Sequence, residues 1–295
     1  MQDTIRAGCK VNLYLDIVGV RADGYHEIES LFYPLPEPCD ILTVEEVGGN
    51  GLRLSCSDPA LASPANILAR AYAAFVRTTG FAPGLALHLD KGIPMGAGLG
   101  GGSSDAAAFL LWLNSRAGAR GLDPERLAAL ALSLGADVPF FLQNEPAWVT
   151  GIGERLEPVP LDLSDQAVLV VCPDVHVNTK WAYNRWDEEH GTGLASPRKG
   201  LTPKNSPIMD LCFTKPPMLW NVFEPIVFRE FPVLYGIKKQ ILEHFAAACV
   251  MSGSGSSFVA LFGSPADAED CAGAIRALGH ACHGPMLGRP VLPES

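Results

Sequence analysis

The residues with the clearest chemical potential form a dense glycine cluster in the first half of the chain: Gly96, Gly98, Gly100, Gly101 and Gly102. Ser103 and Ser104 follow, and a helix is predicted from Asp105 to Arg116. Small residues let a backbone approach a ligand closely, and the start of a helix offers unpaired N–H groups and a partial positive charge. Phosphate is the natural occupant. The alternative is a plain turn in which a serine caps the helix, but this many glycines favour a phosphate site.

Three familiar nucleotide-binding motifs do not fit this cluster. Gly96, Gly98 and Gly101 satisfy the G-x-G-x-x-G spacing, but the next predicted element after the helix is a second helix, Pro124 to Leu134, instead of a parallel strand. The Walker A motif is absent because the dipeptide Gly-Lys never occurs. His-Arg-Asp and Asp-Phe-Gly, which mark protein kinases, are missing as well.

The charge balance limits the partners of this protein. Lysine and arginine number 22 against 32 acidic residues, which gives a net charge of −10. The summed field repels polyanions, so non-specific nucleic-acid binding is not expected. A phosphorylated small molecule must instead be held by backbone N–H groups and a few local lysines. Lys91, at the entrance of the glycine cluster, is expected to supply local positive charge.

Membrane and metal functions are also disfavoured. The start of the chain lacks an apolar signal region, and the longest apolar run, Ala106 to Leu113, is far shorter than the ~20 residues that span a bilayer. The eight cysteines form no C-x-x-C pair. The cluster of His280, Cys282 and His283 follows a predicted helix, and a metal site there is not favoured. We therefore expect a cytoplasmic protein with reduced thiols that is a monomer or weak homodimer.

The 295 residues allow two domains, which we predict at 1–160 and 161–295. The apolar strand Gln166 to Cys172 is expected to open the second domain, and Asp187 to Pro217 is predicted to be a loop or insertion. Strands are also predicted at Val11–Val18, Tyr25–Phe32, Ile41–Val47, Leu85–Leu89, Cys249–Met251 and Phe258–Phe262. Further helices are predicted from Ser63-Pro64 to Gly80, at Val233–Phe245 and at Ala266–Leu278.

Five segments carry a resemblance to a known family. Pro94-Met-Gly-Ala-Gly-Leu-Gly-Gly-Gly-Ser-Ser-Asp-Ala-Ala107 resembles the central ATP motif of the GHMP kinases, and more narrowly of those that act on 4-diphosphocytidyl-2-C-methyl-D-erythritol. The other four agree in order along the chain: Lys10-Val-Asn-Leu13, Arg21-Ala-Asp-Gly-Tyr-His-Glu27, Leu134-Gly-Ala-Asp-Val-Pro-Phe-Phe141 and Met251-Ser-Gly-Ser-Gly-Ser256. The Asp-Gly-Tyr-His segment separates this branch from other GHMP kinases. The resemblance covers nearly the whole chain.

The resemblance implies an α+β, two-domain fold, with an N-terminal domain like ribosomal protein S5 domain 2 and a ferredoxin-like C-terminal domain. It implies transfer of the γ-phosphate of ATP to the 2-hydroxyl of the cytidine-diphosphate-linked polyol, in non-mevalonate isoprenoid biosynthesis. Mg²⁺ is implied by the ATP chemistry, with Ser104 as a candidate ligand or with the ion on phosphates and water. The implied ATP site consists of Lys91, Pro94, Met95, Gly96, Ala97, Gly98, Leu99, Gly100, Gly101, Gly102, Ser103 and Ser104.

The same resemblance assigns the catalytic pair. Asp137 would accept the proton of the substrate hydroxyl, and Lys10 would keep Asp137 ionised and stabilise the nascent alkoxide. Alternatively, Asp137 caps the turn before Val-Pro-Phe-Phe and Lys10 is a solvated charge at the end of a strand. The matched motifs favour the catalytic interpretation.

The resemblance also implies a site for the second substrate. Tyr25 and His26 would hold the cytosine by stacking and hydrogen bonds, and Tyr183 would close its other face unless it is simply a core residue. Asn12 would contact the erythritol hydroxyls. Backbone N–H groups near the diphosphate would come from the segment that includes Ser252, Gly253 and Ser254.

Two other functions remain open from the sequence. Another GHMP kinase, such as a homoserine or mevalonate kinase, would not need an aromatic clamp for cytosine. A non-catalytic nucleotide-binding protein on the same fold would not need Lys10 and Asp137 together.

Overall fold

The computed structural model describes residues 2–191 and 219–288. Its first sheet is built on a long antiparallel pair, β1 (Gln2–Val20) and β2 (His26–Glu46). The sequence predicted two separate strands in the region of β2, at Tyr25–Phe32 and Ile41–Val47. The structure instead forms one strand, and the register shift between Ala7 and Cys9 lies opposite the segment that contains Pro36 and Pro38.

Five shorter strands complete this seven-stranded sheet. They are β3 (Gly51–Cys56), β4 (Gly84–Asp90), β5 (Ala147–Thr150), β6 (Arg155–Pro158) and β8 (Trp220–Asn221). The order along the main path of the sheet is β3-β4-β2-β1-β8, and β5 pairs with β2 and β6. The pairs β3–β4 and β1–β8 are parallel.

Four helices bury their apolar faces against the first sheet: α1 (Ile67–Thr79), α2 (Gly101–Arg116), α3 (Pro124–Leu134) and α4 (Val138–Gln143). Helix α1 begins three residues later than Ser63-Pro64 suggested, because the side chain of Asn66 accepts the capping hydrogen bond from the Leu68 N–H. Helix α2 begins four residues earlier than predicted. Gly101 and Gly102 therefore form its first turn.

The second sheet has four strands: β7 (Leu163–Cys172), β9 (Ala248–Met251), β10 (Phe258–Phe262) and β11 (Ala281–Gly288). They are antiparallel and lie in the order β11-β7-β10-β9. Together with its helices, the sheet follows the ferredoxin-like order of strands and helices along the chain. The helices are α5 (Thr179–His190), α6 (Glu224–Glu230), α7 (Pro232–Glu243) and α8 (Pro265–Ala277).

Part of the predicted insertion is not a loop. Asp187 to His190 form the last turn of α5, and residues 192–217 of the predicted insertion lie outside the described residues. Cys282 and His283 lie on β11, and the described part of the chain contains no cluster of three or more metal-ligating side chains. None of the described helices combines the length and apolarity that crossing a membrane requires.

The two sheets share a buried core that places the site. Residues from the middle of β1 and β2 pack with residues of β7, β9 and β10 in one apolar cluster. Val11 and Leu13 belong to this cluster, whereas Lys10 and Asn12 alternate with them along β1. Lys10 and Asn12 are thereby held at the junction between the sheets.

Candidate active site

The glycine-rich loop joins β4 to α2 and adopts backbone conformations that favour glycine. Gly96, Gly98 and Gly100 have φ values of +65°, +78° and +73°. A Cβ atom built on Gly98 would lie 2.1 Å from the carbonyl oxygen of Ser252. Glycine is therefore required at position 98 for two reasons, the positive φ angle and the close approach of a second loop.

Four consecutive carbonyl groups of this loop, at residues 97–100, accept hydrogen bonds from the protein. The donors are the N–H of Ser257 to Ala97 (3.2 Å), the hydroxyl of Ser252 to Gly98 (2.9 Å), the N–H of Lys10 to Leu99 (2.9 Å) and the N–H of Ser104 to Gly100 (2.9 Å). The N–H groups of residues 98–103 have no acceptor within 2–191 and 219–288. Because the acceptors are used and the donors are left over, the loop is suited to an anion.

The loop lines a cleft of about 480 Å³. All the residues predicted for the ATP site from Lys91 to Ser103 line it. Ser104 does not: it is 3% exposed, since successive helical residues point about 100° apart. The prediction that Ser104 ligates a metal in this cleft is not supported by its position. The sequence analysis missed seven cleft residues: Leu61, Ala65, Asn66, Ile67, Leu89, Ile93 and Asp105.

Lys91 differs from its predicted role. Its ammonium group contacts the buried carboxylate of Asp40 and lies 3.3 Å from that of Asp105. Burial raises the pKa of Asp105 to about 8, while the charge of Lys91 opposes that rise. Asp40 also accepts hydrogen bonds from the N–H groups of Gly92 and Ile93, at 2.7 and 2.8 Å. Lys91 is thus neutralised by a cluster that anchors the start of the loop, and the expectation of surplus positive charge there was wrong.

Lys10 and Asp137 meet at the end of the glycine-rich loop. The Nζ atom of Lys10 lies 3.7 Å from Oδ2 of Asp137 and donates to Oδ1 of Asn12 at 2.6 Å. It also lies 4.3 Å from the centre of the Phe32 ring. Burial lowers the pKa of Lys10, and the neighbouring Asp137 charge opposes that change.

This geometry argues against the structural alternatives for both residues. Lys10 is only 5% exposed, so it is not a solvated charge. Asp137 precedes α4, but its side chain makes no capping hydrogen bond. The carboxylate is 32% exposed and can be reached by a ligand. A paired, accessible carboxylate beside a buried ammonium group is a suitable proton acceptor.

The three predicted cytosine-binding residues are only partly brought together. The rings of His26 and Tyr183 lie 4.7 Å apart between centroids, and Tyr183 also packs on Phe223. Burial, followed by the charge of Asp137, raises the pKa of Tyr183 to about 12. Tyr25 is 60% exposed and immediately precedes β2. His26 and Tyr183 therefore form a preassembled pair near Asp137, and Tyr25 stands free of it in this structure.

Asp187 is a site residue that the sequence analysis placed in a loop. It lies on the last turn of α5, four residues after Tyr183, and its Oδ1 atom lies 2.8 Å from Nε2 of His26. An ionised carboxylate only accepts hydrogen bonds, so this contact places a proton on Nε2. The available sequence signal was the i, i+4 spacing of Tyr183 and Asp187. It can be recognised only if the helix is predicted to continue to His190.

The second small-residue loop, Ser252 to Ser257, packs directly on the first. The hydroxyl of Ser252 accepts from the N–H of Asn12 at 3.1 Å, and Asn12 also donates to the Ser30 hydroxyl at 2.8 Å. The N–H groups of Ser252 and Gly255 are used within the loop, on Ser257 and Ser252. These two N–H groups are therefore not available to a diphosphate, whereas those of Gly253 and Ser254 have no acceptor among the described residues, so the predicted diphosphate contact of this segment stays a prediction.

Ser254 and Gly253 have different surroundings within that loop. The Ser254 hydroxyl lies 2.8 Å from the Thr179 hydroxyl at the start of α5. A Cβ atom on Gly253 would lie 3.2 Å from Cα of Gly98. The loop thereby connects α5 with the glycine-rich loop.

Comparison with known proteins identifies the family. Residues 66–145 match the model of the GHMP kinases N terminal domain, and residues 209–281 match that of the GHMP kinases C terminal. The chain is 41% identical over 305 aligned positions to 4-diphosphocytidyl-2-C-methyl-D-erythritol kinase of Oleidesulfovibrio alaskensis, with 91% of this chain and 93% of the relative covered. The corresponding kinase of Solidesulfovibrio magneticus is 46% identical, with 86% of each chain covered.

The chain belongs to the GHMP kinases. The family resemblance and the mixed α and β, two-domain fold predicted from the sequence are therefore confirmed. ATP is the co-substrate of this kinase family, in keeping with the donor-rich loop.

Solved structures of GHMP kinases agree with this assignment. A crystal structure of 4-(cytidine 5'-diphospho)-2C-methyl-D-erythritol kinase is 35% identical and superposes with a TM-score of 0.76, covering 96% of this chain and 98% of that one. A homoserine kinase from Cytophaga hutchinsonii, 19% identical, gives a TM-score of 0.67, with 96% and 94% covered. At that identity the second match shows the GHMP kinase fold alone.

Proposed function

We propose that the protein transfers the γ-phosphoryl group of ATP to the 2-hydroxyl of 4-diphosphocytidyl-2-C-methyl-D-erythritol, a step of non-mevalonate isoprenoid precursor biosynthesis. The observation that carries the proposal is the Lys10–Asp137 pair at the end of the glycine-rich loop, 3.7 Å apart. The names of relatives at 41–46% identity support the choice of substrate.

The chemistry follows from the positions of these two side chains. The 2-hydroxyl oxygen forms a bond to the γ-phosphorus, the bond from that phosphorus to the bridging oxygen breaks, and ADP leaves. Asp137 accepts the hydroxyl proton. The positive charge of Lys10 stabilises the oxygen as the proton departs. The hydrogen bond that Lys10 donates to Asn12 orients its ammonium group. Because the transition state is loose, catalysis depends on placing the two reactants and on stabilising the charge of the phosphoryl oxygens.

ATP would occupy the cleft of about 480 Å³. The N–H groups of residues 98–103, which have no acceptor among the described residues, would bind its phosphates, which suits a protein of net charge −10 whose Lys91 is paired with Asp40 at this loop. The apolar side chains of Leu61, Leu89 and Met95 line the cleft and would cover the base.

Mg²⁺ is usual in phosphoryl transfer, but the described side chains do not build a site for it. No group of three or more metal-ligating side chains occurs among them, and Ser104 does not line the cleft. An ion would have to rest on the phosphates and water.

The cytidine end of the acceptor would be held by His26 and Tyr183, with Tyr25 closing over it from its exposed position. Aromatic faces stack on a base, and the imidazole can hydrogen-bond its edge. Asn12 would meet the polyol beside Lys10. A monomer or weak homodimer in the cytoplasm stays a prediction.

The test is ATP consumption by the purified protein with the cytidylyl substrate, mevalonate and homoserine offered separately. We expect turnover with the first alone, and Tyr25→Ala should weaken it. Turnover of homoserine or mevalonate that Tyr25→Ala leaves untouched would instead support another GHMP kinase. Nucleotide binding without turnover of any alcohol would support a non-catalytic nucleotide-binding protein.

A further inference from the structure

Asn221 and Glu224 together hold both backbone groups of Met251. The side-chain amide of Asn221 donates to the carbonyl oxygens of Met251 and Gly253, at 2.6 and 2.7 Å. Oε1 of Glu224 accepts from the N–H of Met251 at 2.8 Å. Asn221 is 1% exposed, and its own carbonyl accepts from the N–H of Phe223 at 2.9 Å. Both amide hydrogens and the amide oxygen of Asn221 are therefore engaged.

Asn221 is itself fixed to the strand that carries Lys10. It lies opposite Leu15 in the parallel pairing of β8 with β1, and the N–H of Val222 donates to the carbonyl of Leu15 at 3.0 Å. Strand β1 also contains Asn12. Asn221 thus connects β1, the strand that carries Lys10, to the end of β9, where the second small-residue loop begins.

That loop in turn sets the position of the glycine-rich loop. The Ser252 hydroxyl bonds to the carbonyl of Gly98 and to the N–H of Asn12. A Cβ atom on Gly98 or Gly253 would collide with or crowd the opposite loop, at 2.1 and 3.2 Å. A shift of the Ser252 loop would therefore be transmitted to both the ATP side and the acceptor side of the site.

We propose that Asn221 is a positioning residue for phosphoryl transfer: by holding Met251 and Gly253 against β1, it sets the distance between the glycine-rich loop and the Lys10–Asp137 pair. This inference rests on the proposed function for its kinetic test. Its structural test is independent, because the placement of the glycine-rich loop can be measured in the absence of the alcohol substrate.

Asn221→Asp is the informative variant. It keeps the shape and the acceptor for Phe223, but it removes both donors and places a carboxylate against two carbonyl oxygens. We expect kcat to fall by about tenfold or more, since small misplacements of reactants are costly in rate, with a smaller change in either KM. The amide hydrogens of Lys10 and Ser257, which donate to the carbonyl groups of Leu99 and Ala97 in the glycine-rich loop, should exchange faster than in the wild type.

A matched control separates positioning from general loss of stability. Ile237 lies on α7, is buried in the core of the second sheet and belongs to neither loop. Ile237→Val should lower Tm but leave kcat and the exchange of the Lys10 and Ser257 amide hydrogens unchanged. Glu224→Gln keeps an acceptor for Met251 and loses the ion pair with Lys238, and it should fall between the two.

The double variant Asn221→Asp/Ser252→Ala tests the path. If Asn221 acts through Ser252, the double variant loses no more kcat than the worse single variant; fully multiplied losses would contradict the path. Unchanged kcat and exchange in Asn221→Asp would overturn the proposal. If the wild type phosphorylates none of the candidate alcohols, the proposed function fails, and the exchange comparison alone decides the role of Asn221.

Discussion

The ammonium group of Lys10 lies 3.7 Å from the carboxylate of Asp137, although one residue sits in the middle of β1 and the other just before α4. Lys10 is buried and Asp137 is partly exposed, so Asp137 is the member of the pair that a ligand can reach. Because Asp137 caps no helix, its lone pairs remain available to a substrate hydroxyl. We therefore expect a substitution of Asp137 to lower turnover without changing the binding of ATP.

Asp137→Asn should bind ATP like the wild type but lose kcat by about 100-fold or more, because an amide cannot accept the hydroxyl proton. ATP consumption with the cytidylyl substrate measures kcat, and nucleotide titration measures binding. Asp123→Asn is the matched control, since Asp123 caps α3 outside the site and asparagine caps equally well. Similar turnover in the two variants would eliminate Asp137 as the base.

Gly98→Ala should disrupt the nucleotide loop. The new methyl group would meet the carbonyl of Ser252 at 2.1 Å, and the φ of +78° adds about 1–2 kcal/mol of strain. We expect KM for ATP to rise at least about tenfold as the donor N–H groups move out of line. Steady-state kinetics at varied ATP measures this.

The control for Gly98→Ala is Gly273→Ala on α8. That position has a helical φ and no neighbour within 4 Å of a built Cβ atom. Alanine there should raise stability by up to about 1 kcal/mol through helix propensity and leave KM unchanged. An unaltered KM in Gly98→Ala would mean that the loop does not bind the phosphates.

The site elements nearest the motifs were predictable from the sequence. The glycine cluster, its following helix and the alternation of Lys10 and Asn12 with apolar residues depend on local backbone rules, which act within a few residues. Their convergence with Asp137 and Ser252 was inferred from family resemblance. Nothing local to Lys10 indicates which distant carboxylate will face it.

The errors arose where long-range contacts override local signals. Lys91 reads as a free cation near a phosphate loop, but Asp40, far earlier in the chain, is buried beneath it. The polar end of α5 reads as a loop, but Trp186 is buried and extends the helix to His190. Asn221 carried no sequence signal at all, because its partners are carbonyl groups that any residue supplies.

Asp187→Ala should weaken the acceptor site without affecting ATP. Loss of the 2.8 Å contact frees the ring of His26 to rotate and to exchange its proton between nitrogens. We expect KM for the cytidylyl substrate to rise about tenfold, the value of one charge-assisted hydrogen bond, with KM for ATP unchanged. Glu188→Ala, on the exposed side of the same turn, should change neither. Equal KM values for the cytidylyl substrate in Asp187→Ala and Glu188→Ala would show that Asp187 is not part of the site.

Asp105 makes the stability of the nucleotide cleft depend on pH. Burial raises the pKa of Asp105 to about 8 in the folded protein, above the ordinary value of 3.8 for an aspartate. The folded state therefore holds more protons than the unfolded state between these values. This contribution is fully present below about pH 4 and is lost as pH rises through about 8.

Asp105→Asn should remove that dependence, because an amide keeps the shape of the protonated acid without titrating. In the variant, the amide oxygen can replace Oδ2 beside Lys91, and the NH₂ group can replace Oδ1, which has no hydrogen-bond partner among the described residues. We expect Tm of the variant to exceed that of the wild type at pH 8–9 and to differ little near pH 5. Thermal unfolding across pH 5–9 measures both curves. Asp58→Asn, at an exposed cap, should leave the wild-type curve unchanged. Parallel curves for Asp105→Asn and the wild type would show that Asp105 is already ionised at neutral pH, with Lys91 outweighing its burial.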